Sequence, residues 1–277
     1  MIELPEAIVI ARQISAELAG KQIAEAVHLQ SPHKFAFVSK RTPEEHAAIL
    51  RGRTLGAAVA SGSSIVVGAA PDYKLVFGCG GERITYHAGA ATLPKKHQLL
   101  LRFTDDTYLT VTVQGWGNVF LMTDAEARTH RHVGFDRIGA LDDAFTPAYW
   151  DGLFAALPPD DKRAIKYFLI SEPGVWGVGN GYLQDILFHA RIHPRRRAVD
   201  VTADERGALY IAIRETLQRA VDLGGRDSER DLYGHPGGYV RLMDSTTAGQ
   251  PCPACGTPIE KISFLGGACY FCPQCQA

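Results

Sequence analysis

The stretch Gly177-Val178-Gly179-Asn180-Gly181-Tyr182-Leu183 stands directly before an apolar segment with helical spacing. Glycines at a helix start let the backbone approach a ligand closely, and the helix N-terminus presents unpaired N–H groups and a positive dipole end to a phosphate. Asn180 occupies the position expected of an N-cap. Because a glycine-rich helix start is also common as an ordinary cap, the stretch alone leaves both interpretations open.

Helical spacing dominates the chain around this stretch. The pattern predicts helices over 149–157, 160–170, 181–190 and 203–223, and Gly224 and Gly225 end the last of them. Residues 226–250 are rich in Gly, Asp, Ser and Thr and predict a long loop. Long loops inside compact proteins are more often functional than decorative.

The C-terminus carries two C-x2-C pairs separated by sixteen residues. The four cysteines are Cys252, Cys255, Cys272 and Cys275. Four thiolates at this spacing close a tetrahedron around Zn²⁺ and leave no open coordination position. We therefore predict a structural zinc site rather than a disulfide framework.

The N-terminal half has a different pattern. Residues 3–19 predict a helix, since Ile8, Ala11, Ile14 and Leu18 recur at three- and four-residue spacing and Gly20 ends the pattern. From about residue 22 to 123, short β-branched runs alternate with turns, and 98–103 with 108–113 predicts a hairpin. This half is typical of a β-sandwich or barrel that carries an N-terminal helix.

Composition describes a folded protein. The 277 residues are 46% hydrophobic and 21% charged, which excludes disordered and collagen-like classes. Lys and Arg number 29 against 30 Asp and Glu, a net charge of −1, so no global basic excess indicates a nucleic-acid partner. The first twenty residues lack a basic segment followed by an apolar one, so we expect no secretory signal, no membrane partner and a cytoplasmic location.

Several of these motifs occur together in one known family. They are Glu3-Leu4-Pro5-Glu6, Ala164-Ile165-Lys166, Gly177-Val178-Gly179-Asn180, Ile192-His193-Pro194 and the four-Cys finger. In order and spacing the chain resembles the formamidopyrimidine-DNA glycosylase / endonuclease VIII family over essentially its whole length. The resemblance implies a clamp that flips a damaged base out of duplex DNA, as chemistry on a paired base requires, then cuts its glycosidic bond and often the backbone.

The resemblance also assigns roles to residues. Glu3 corresponds to the family's catalytic carboxylate and Glu6 to its partner, Asn180 to an asparagine that holds phosphates, and Lys166 to a basic residue facing the pocket. Trp116 corresponds to the aromatic wedge inserted beside the flipped base. Without the resemblance, Glu3 would be interpreted as an acid that favours a helix N-terminus. Arg195 belongs to the basic cluster Arg191, Arg195, Arg196 and Arg197, where we expect DNA contact.

The chain departs from the family pattern at the lesion. Ile2 stands in place of the N-terminal proline nucleophile, and since Ile disfavours removal of the initiator Met, we expect Met1 to stay and to displace the terminal amine. At three further positions, Ser63, Gly115 and Gly267, this chain lacks a cation that the family has. Cys79 is close in sequence to a position where the family often has an intercalating methionine. Substitutes are available in 31–34, in 95–97 and at Arg226, although each is also compatible with a solvated charge.

The sequence thus predicts an α+β protein. We expect an N-terminal helix plus β-sandwich over 1–124, a linker over 125–145, a helix-two-turn-helix domain with the long loop over 146–250, and a zinc-finger β-hairpin over 251–277. We expect a monomer that holds structural Zn²⁺ and binds double-stranded DNA containing a damaged base or an abasic site. In a bacterium, such a protein is expected to be nucleoid-associated.

Three functions follow from the retained and missing residues. The first is a monofunctional DNA N-glycosylase with Glu3 as acid or base and no covalent intermediate. A variant of this hypothesis keeps some lyase activity through the terminal amine. The second is a non-catalytic binder of damaged or abasic DNA. The third, a zinc-stabilised scaffold without DNA binding, leaves the 177–180 turn and the arginine run without a purpose.

Overall fold

A computed structural model describes residues 1–31, 33–38, 41–130, 133–134 and 137–277, with the backbone alone for 37–38. The chain divides into two compact units, Met1–Asp136 with Leu223–Gly238, and Arg137–Asp222 with Tyr239–Ala277. Part of the long loop predicted over 226–250 therefore belongs to the first unit. Within the described ranges, no helix is long and apolar enough to cross a bilayer.

The first unit begins with helix α1, Leu4–Leu18, close to the predicted bounds. Glu3 is the N-cap and Pro5 lies in the first turn, where its missing N–H costs nothing. The buried face of α1 includes Ile10, Ala11, Ile14 and Leu18, so Ile10 takes the place predicted for Ile8.

Two sheets follow α1. The four-stranded sheet has the order β1-β7-β8-β6, and all its strands are antiparallel. The five-stranded sheet has the order β2-β9-β5-β4-β3, in which only β2 and β9 run parallel. The strands are β1 (Ile23–His28), β2 (Ala36–Val38), β3 (Leu55–Ser61), β4 (Ser64–Ala69), β5 (Tyr73–Gly78), β6 (Glu82–His87), β7 (Leu99–Phe103), β8 (Tyr108–Val113) and β9 (Gly117–Thr123).

Side chains from α1 and from both sheets share one buried apolar cluster, as the predicted sandwich requires. The predicted hairpin is confirmed as β7–β8, which pairs Leu99 with Val111. Two short helices, α2 (Pro43–Leu50) and α3 (Asp124–Thr129), have capping boxes built on Thr42 and Thr123. Helix α3 lies at the start of the predicted linker, whose residues 131, 132, 135 and 136 lie outside the described ranges.

The second unit is helical with a C-terminal hairpin. Its helices are α4 (Pro147–Ala155), α5 (Ile165–Ile170), α6 (Asn180–His189) and α7 (Ala203–Asp222), and its hairpin is β10 (Glu260–Phe264) with β11 (Gly267–Phe271). Helix α5 is shorter than predicted because Ala164 is extended and bridges to Arg197. The N-cap of α6 is Gly179, so the prediction of Asn180 as N-cap was wrong: Asn180 is the first helical residue. Residues 223–259 contain neither helix nor strand, as predicted for the long loop.

Candidate functional site

The four predicted zinc ligands converge at the base of the β10–β11 hairpin. Their sulfur atoms all lie within 4.8 Å of one another. The Sγ atoms of Cys255 and Cys272 are 3.4 Å apart, and those of Cys252 and Cys275 are 3.9 Å apart. Zn–S bonds of about 2.3 Å in a tetrahedron place sulfur atoms roughly 3.8 Å apart. The four thiolates therefore fit structural Zn²⁺ with no position left for a substrate.

In the first unit, Glu3 and Glu6 form a buried carboxylate pair at the start of α1. Their exposed fractions are 1% and 3%. Glu6 Oε2 accepts the backbone N–H of Glu3 at 2.9 Å, which is one half of a capping box. The helix N-terminus favours negative charge at this position. Local sequence and the helix dipole thus account for where these carboxylates lie.

Arg226 lies between the two carboxylates as their counter-ion. Its Nε is 3.0 Å from Glu6 Oε1 and its Nη2 is 3.0 Å from Glu6 Oε2, while Nη1 is 3.2 Å from Glu3 Oε1. The Arg226 backbone N–H also donates to Glu6, at 3.1 Å, and Nη2 donates to the carbonyl of Met1. With an exposed fraction of 3%, Arg226 is neither a solvated charge nor a surface cation for DNA.

The chain's terminal amine is held by a second ion pair from the same loop. Met1 N pairs with Glu229, whose other oxygen accepts Arg83 Nη1 at 2.8 Å. These cations hold the pKa of Glu229 below its usual value although burial opposes them. Ile2 is buried, and its N–H donates to Gly80 O at 2.8 Å. Sequence reasoning missed Glu229, because nothing local marks a loop acid as the partner of a residue 228 positions away.

A third buried carboxyl, Glu82, supports the Gly80 turn and was also missed. Its oxygens accept the N–H groups of Gly80, at 3.0 Å, and of Asn118. Burial raises the pKa of Glu82 to about 7, against the opposing effect of these hydrogen bonds. The carboxyl therefore holds the turn that accepts the N–H of Ile2.

Trp116 and Cys79 flank this turn. Trp116 is 43% exposed, and its carbonyl accepts the N–H of Gly81 at 2.8 Å, so the predicted wedge aromatic stands at the surface of the first unit. Cys79 has a φ of 68°, and its Sγ lies 3.1 Å from Ser64 Oγ. Burial raises the pKa of the Cys79 thiol to about 11.

In the second unit, Lys166 and Asn180 converge on the zinc hairpin. Lys166 is 1% exposed and its Nζ donates to Phe264 O at 2.7 Å and to Cys269 Sγ at 3.4 Å. Asn180 Nδ2 donates to Ala268 O at 3.2 Å. A Cβ on Gly267 would lie 3.6 Å from both donor nitrogens, in ordinary contact. The structure thus brings both predicted residues together around Gly267, while their binding of phosphate stays a prediction.

Arg195 differs from Arg196 and Arg197 of the basic cluster. Arg196 is within 3.4 Å of Glu205, and Arg197 is within 3.7 Å of Asp200. Arg195 is exposed and lies over the ring of Phe264 at 5.2 Å, and no ion pair within the described ranges includes it. Its charge is therefore available to a phosphate from the same side as the zinc hairpin.

The other proposed substitutes for the lost cations differ in whether they are exposed or buried. Lys95 and Lys96 are exposed, whereas His97 is 8% exposed and is no surface cation. Of the segment 31–34, residue 32 lies outside the described ranges, and Lys34 is exposed.

Comparison with known proteins gives matches over the whole chain. Residues 140–231 match the profile of the formamidopyrimidine-DNA glycosylase H2TH domain, and 249–277 match that of the zinc finger found in FPG and IleRS. The chain is 32% identical to the formamidopyrimidine-DNA glycosylase of Deinococcus radiodurans, over 100% of this chain and 97% of that protein. It is 30% identical to the protein of the same name from Roseiflexus sp., over 100% of both.

Solved structures show the same fold. The Fpg of Lactococcus lactis, in a complex with DNA containing an abasic site, has a TM-score of 0.85 at 22% identity over 99% of each chain. The MutM (Fpg) protein of Thermus thermophilus has a TM-score of 0.81 at 27% identity over 99% of this chain and 98% of that one. With its full-length relatives and its matched helix-two-turn-helix and zinc-finger segments, the chain belongs to the formamidopyrimidine-DNA glycosylase family.

Proposed function

We propose that this protein is a monofunctional DNA glycosylase, which binds duplex DNA containing a damaged base and hydrolyses the N-glycosidic bond without cutting the backbone. Its relatives carry the name formamidopyrimidine-DNA glycosylase, and structural neighbours of the same fold are complexes with abasic-site DNA. The exposed Arg195 and Trp116 supply a phosphate contact and an aromatic contact on the two units.

The state of the terminal amine carries this proposal. A Schiff base needs an unprotonated amine that reaches the sugar carbon. In this proposal Met1 is retained, so the amine is that of Met1 instead of a proline. It is an ammonium paired with Glu229, while Ile2 is fixed to Gly80. An ammonium held in an ion pair is a poor nucleophile, which favours attack by water.

Glu3 is the residue that performs the acid–base chemistry in this proposal. The water oxygen forms a bond to the anomeric carbon while the carbon–nitrogen bond breaks and its electron pair leaves with the base. The proton of the water passes to the Glu3 carboxylate and then to the departing nitrogen. Positioned acid–base groups of this kind contribute roughly 10²- to 10⁴-fold in rate.

The test uses a panel of duplexes, each with one damaged base. Base release is scored as strand breaks after alkali treatment, and lyase activity as breaks without alkali. A covalent intermediate is scored as an adduct trapped by borohydride. We expect breaks that depend on alkali, no trapped adduct, and a loss of roughly 10²-fold or more in Glu3→Gln. Glu25→Gln, an exposed acid of β1, is the control and should keep full activity. Undiminished release by Glu3→Gln, or a trapped adduct, would contradict the proposal.

One observation favours the second candidate, a non-catalytic binder of damaged or abasic DNA. Glu3 is 1% exposed and shares Arg226 with Glu6, so the carboxylate is shielded from solvent and from any reacting sugar in this conformation. This candidate predicts that the wild type and Glu3→Gln bind an abasic-site duplex equally well and that neither releases a base from any duplex of the panel.

A further inference from the structure

Two large aromatic side chains are exposed at neighbouring backbone positions of the first unit. Phe35 is 48% exposed and Trp116 is 43% exposed. The parallel pairing of β2 with β9 begins with Ala36 opposite Gly117, and the N–H of Gly117 donates to Phe35 O at 3.0 Å. Phe35 and Trp116 each precede that pair by one residue. Since paired strands are about 4.8 Å apart, Phe35 and Trp116 lie side by side at the N-terminal end of the β2–β9 pair.

The backbone beneath the aromatic pair is fixed. The carbonyl of Trp116 accepts the N–H of Gly81, and a Cβ on Gly80 would overlap that carbonyl oxygen. The carbonyl of Gly80 in turn accepts the N–H of Ile2. A single tight turn therefore joins the aromatic pair to the N-terminal segment that carries Glu3.

A cation lies beside the pair. Lys34 Nζ lies 5.4 Å from the ring centroid of Phe35, and the ring of His33 lies 6.3 Å from it. Neither 30–38 nor 114–118 contains an Asp or a Glu. Exposed aromatic rings with a cation beside them and no acid in their own segments suit a stacked nucleobase whose phosphate meets the cation. An apolar protein partner would gain nothing from the charge.

We propose that Phe35 and Trp116 form a two-ring platform on which an unpaired nucleobase of the bound DNA stacks, with Lys34 taking the adjacent phosphate. This inference rests on the proposed function only in that duplex DNA is the partner, and it needs no catalysis. Phe35 adds a second ring beside the single wedge expected at Trp116.

The test uses a duplex in which 2-aminopurine stands opposite an abasic site, with binding measured by anisotropy and stacking by quenching of 2-aminopurine fluorescence. Base–aromatic stacking is strong enough that Phe35→Ala should weaken binding about five- to hundredfold and reduce the quenching. Phe35→Leu keeps an apolar side chain without a π face, so it should lose the quenching too. Phe35→Trp should retain both.

Two controls separate the platform from general effects. Val59→Ala removes another exposed apolar side chain of the same sheet, 53% exposed, and should change neither signal. Lys34→Ala should leave the quenching intact and make the affinity less dependent on salt.

The outcomes distinguish this inference from the proposed function. Wild-type quenching and affinity in both Phe35→Ala and Phe35→Leu would overturn the platform alone. Wild type that fails to bind the abasic-site duplex would overturn the platform and the proposed function together. Base release that persists while the Phe35 variants lose quenching would support both.

Discussion

Arg226 is the residue on which the N-terminal site depends. It pairs with both Glu3 and Glu6, and all three side chains are at least 96% buried. Removing one partner of a buried ion pair leaves an uncompensated charge, which costs about 3–5 kcal/mol. We expect Arg226→Met to lower the free energy of unfolding by that amount in urea titrations at pH 7.

The matched control is Arg102→Met, which removes an exposed arginine paired with Glu25 and Asp106. Solvent screens an exposed pair, so it contributes little to stability, and this variant should remain close to the wild type. Equal losses in the two variants would show that the Arg226 cluster contributes no more than a surface pair.

Arg226 also shows where sequence reasoning ends. The acids Glu3 and Glu6 could be identified from their place before α1, since local rules govern a helix start. Their counter-ion lies more than 200 positions along the chain, in a loop whose composition indicates only a turn-rich segment. Pairing at that distance is a property of the tertiary structure, so the sequence supported only a DNA contact or a solvated charge for Arg226.

At the scale of elements, patterns with strong periodicity were predicted well and their ends less so. Helix α1 and the β7–β8 hairpin follow from apolar spacing that repeats over many residues. The N-cap of α6 is Gly179 instead of Asn180, because an extended glycine can precede a helix without a side-chain cap. Helices α2 and α3 were missed since their eight and six residues are too few to show a period.

A stacked histidine pair joins α2 to β1. His28 of β1 and His46 of α2 have ring centroids 3.8 Å apart and are buried. Burial lowers the pKa of His28 to about 4 and of His46 to about 3. The unfolded chain therefore binds protons first as the pH falls below about 6.5. We expect the free energy of unfolding to decrease between pH 6.5 and 4, by on the order of 1–3 kcal/mol per histidine.

His46→Phe tests this, because it keeps an aromatic ring on His28 and removes a titrating group. Its free energy of unfolding, measured in urea from pH 4 to 7, should decrease less toward acid than that of the wild type. His235→Phe, which replaces an exposed histidine, should follow the wild type. Parallel curves for His46→Phe and the wild type would contradict the assignment.

At the scale of the whole molecule, only some of the basic side chains are exposed to a DNA partner. Of the basic side chains near the predicted sites, Arg226 and Lys166 are buried with partners inside the protein, whereas Arg195 and Lys34 are exposed. Only exposed cations release counter-ions from DNA. This chain has a net charge of −1, and its Arg226 neutralises internal carboxylates. Its affinity for DNA should therefore depend less on phosphate contacts than that of a basic member of its family.

The zinc site gives the last prediction, because it supports the second unit. Cys252 and Cys272 share a buried cluster with Phe188, and the hairpin carbonyls hold Lys166 and Asn180. Structural zinc contributes directly to folding, so chelation should raise the rate of amide exchange over 249–277. Hydrogen–deuterium exchange measures that rate, and a zinc-binding dye measures release of the metal. The apolar cluster of the first unit contains no zinc ligand, so exchange in α1 should stay unchanged. An equal rise in α1, or no rise over 249–277, would contradict a local structural metal.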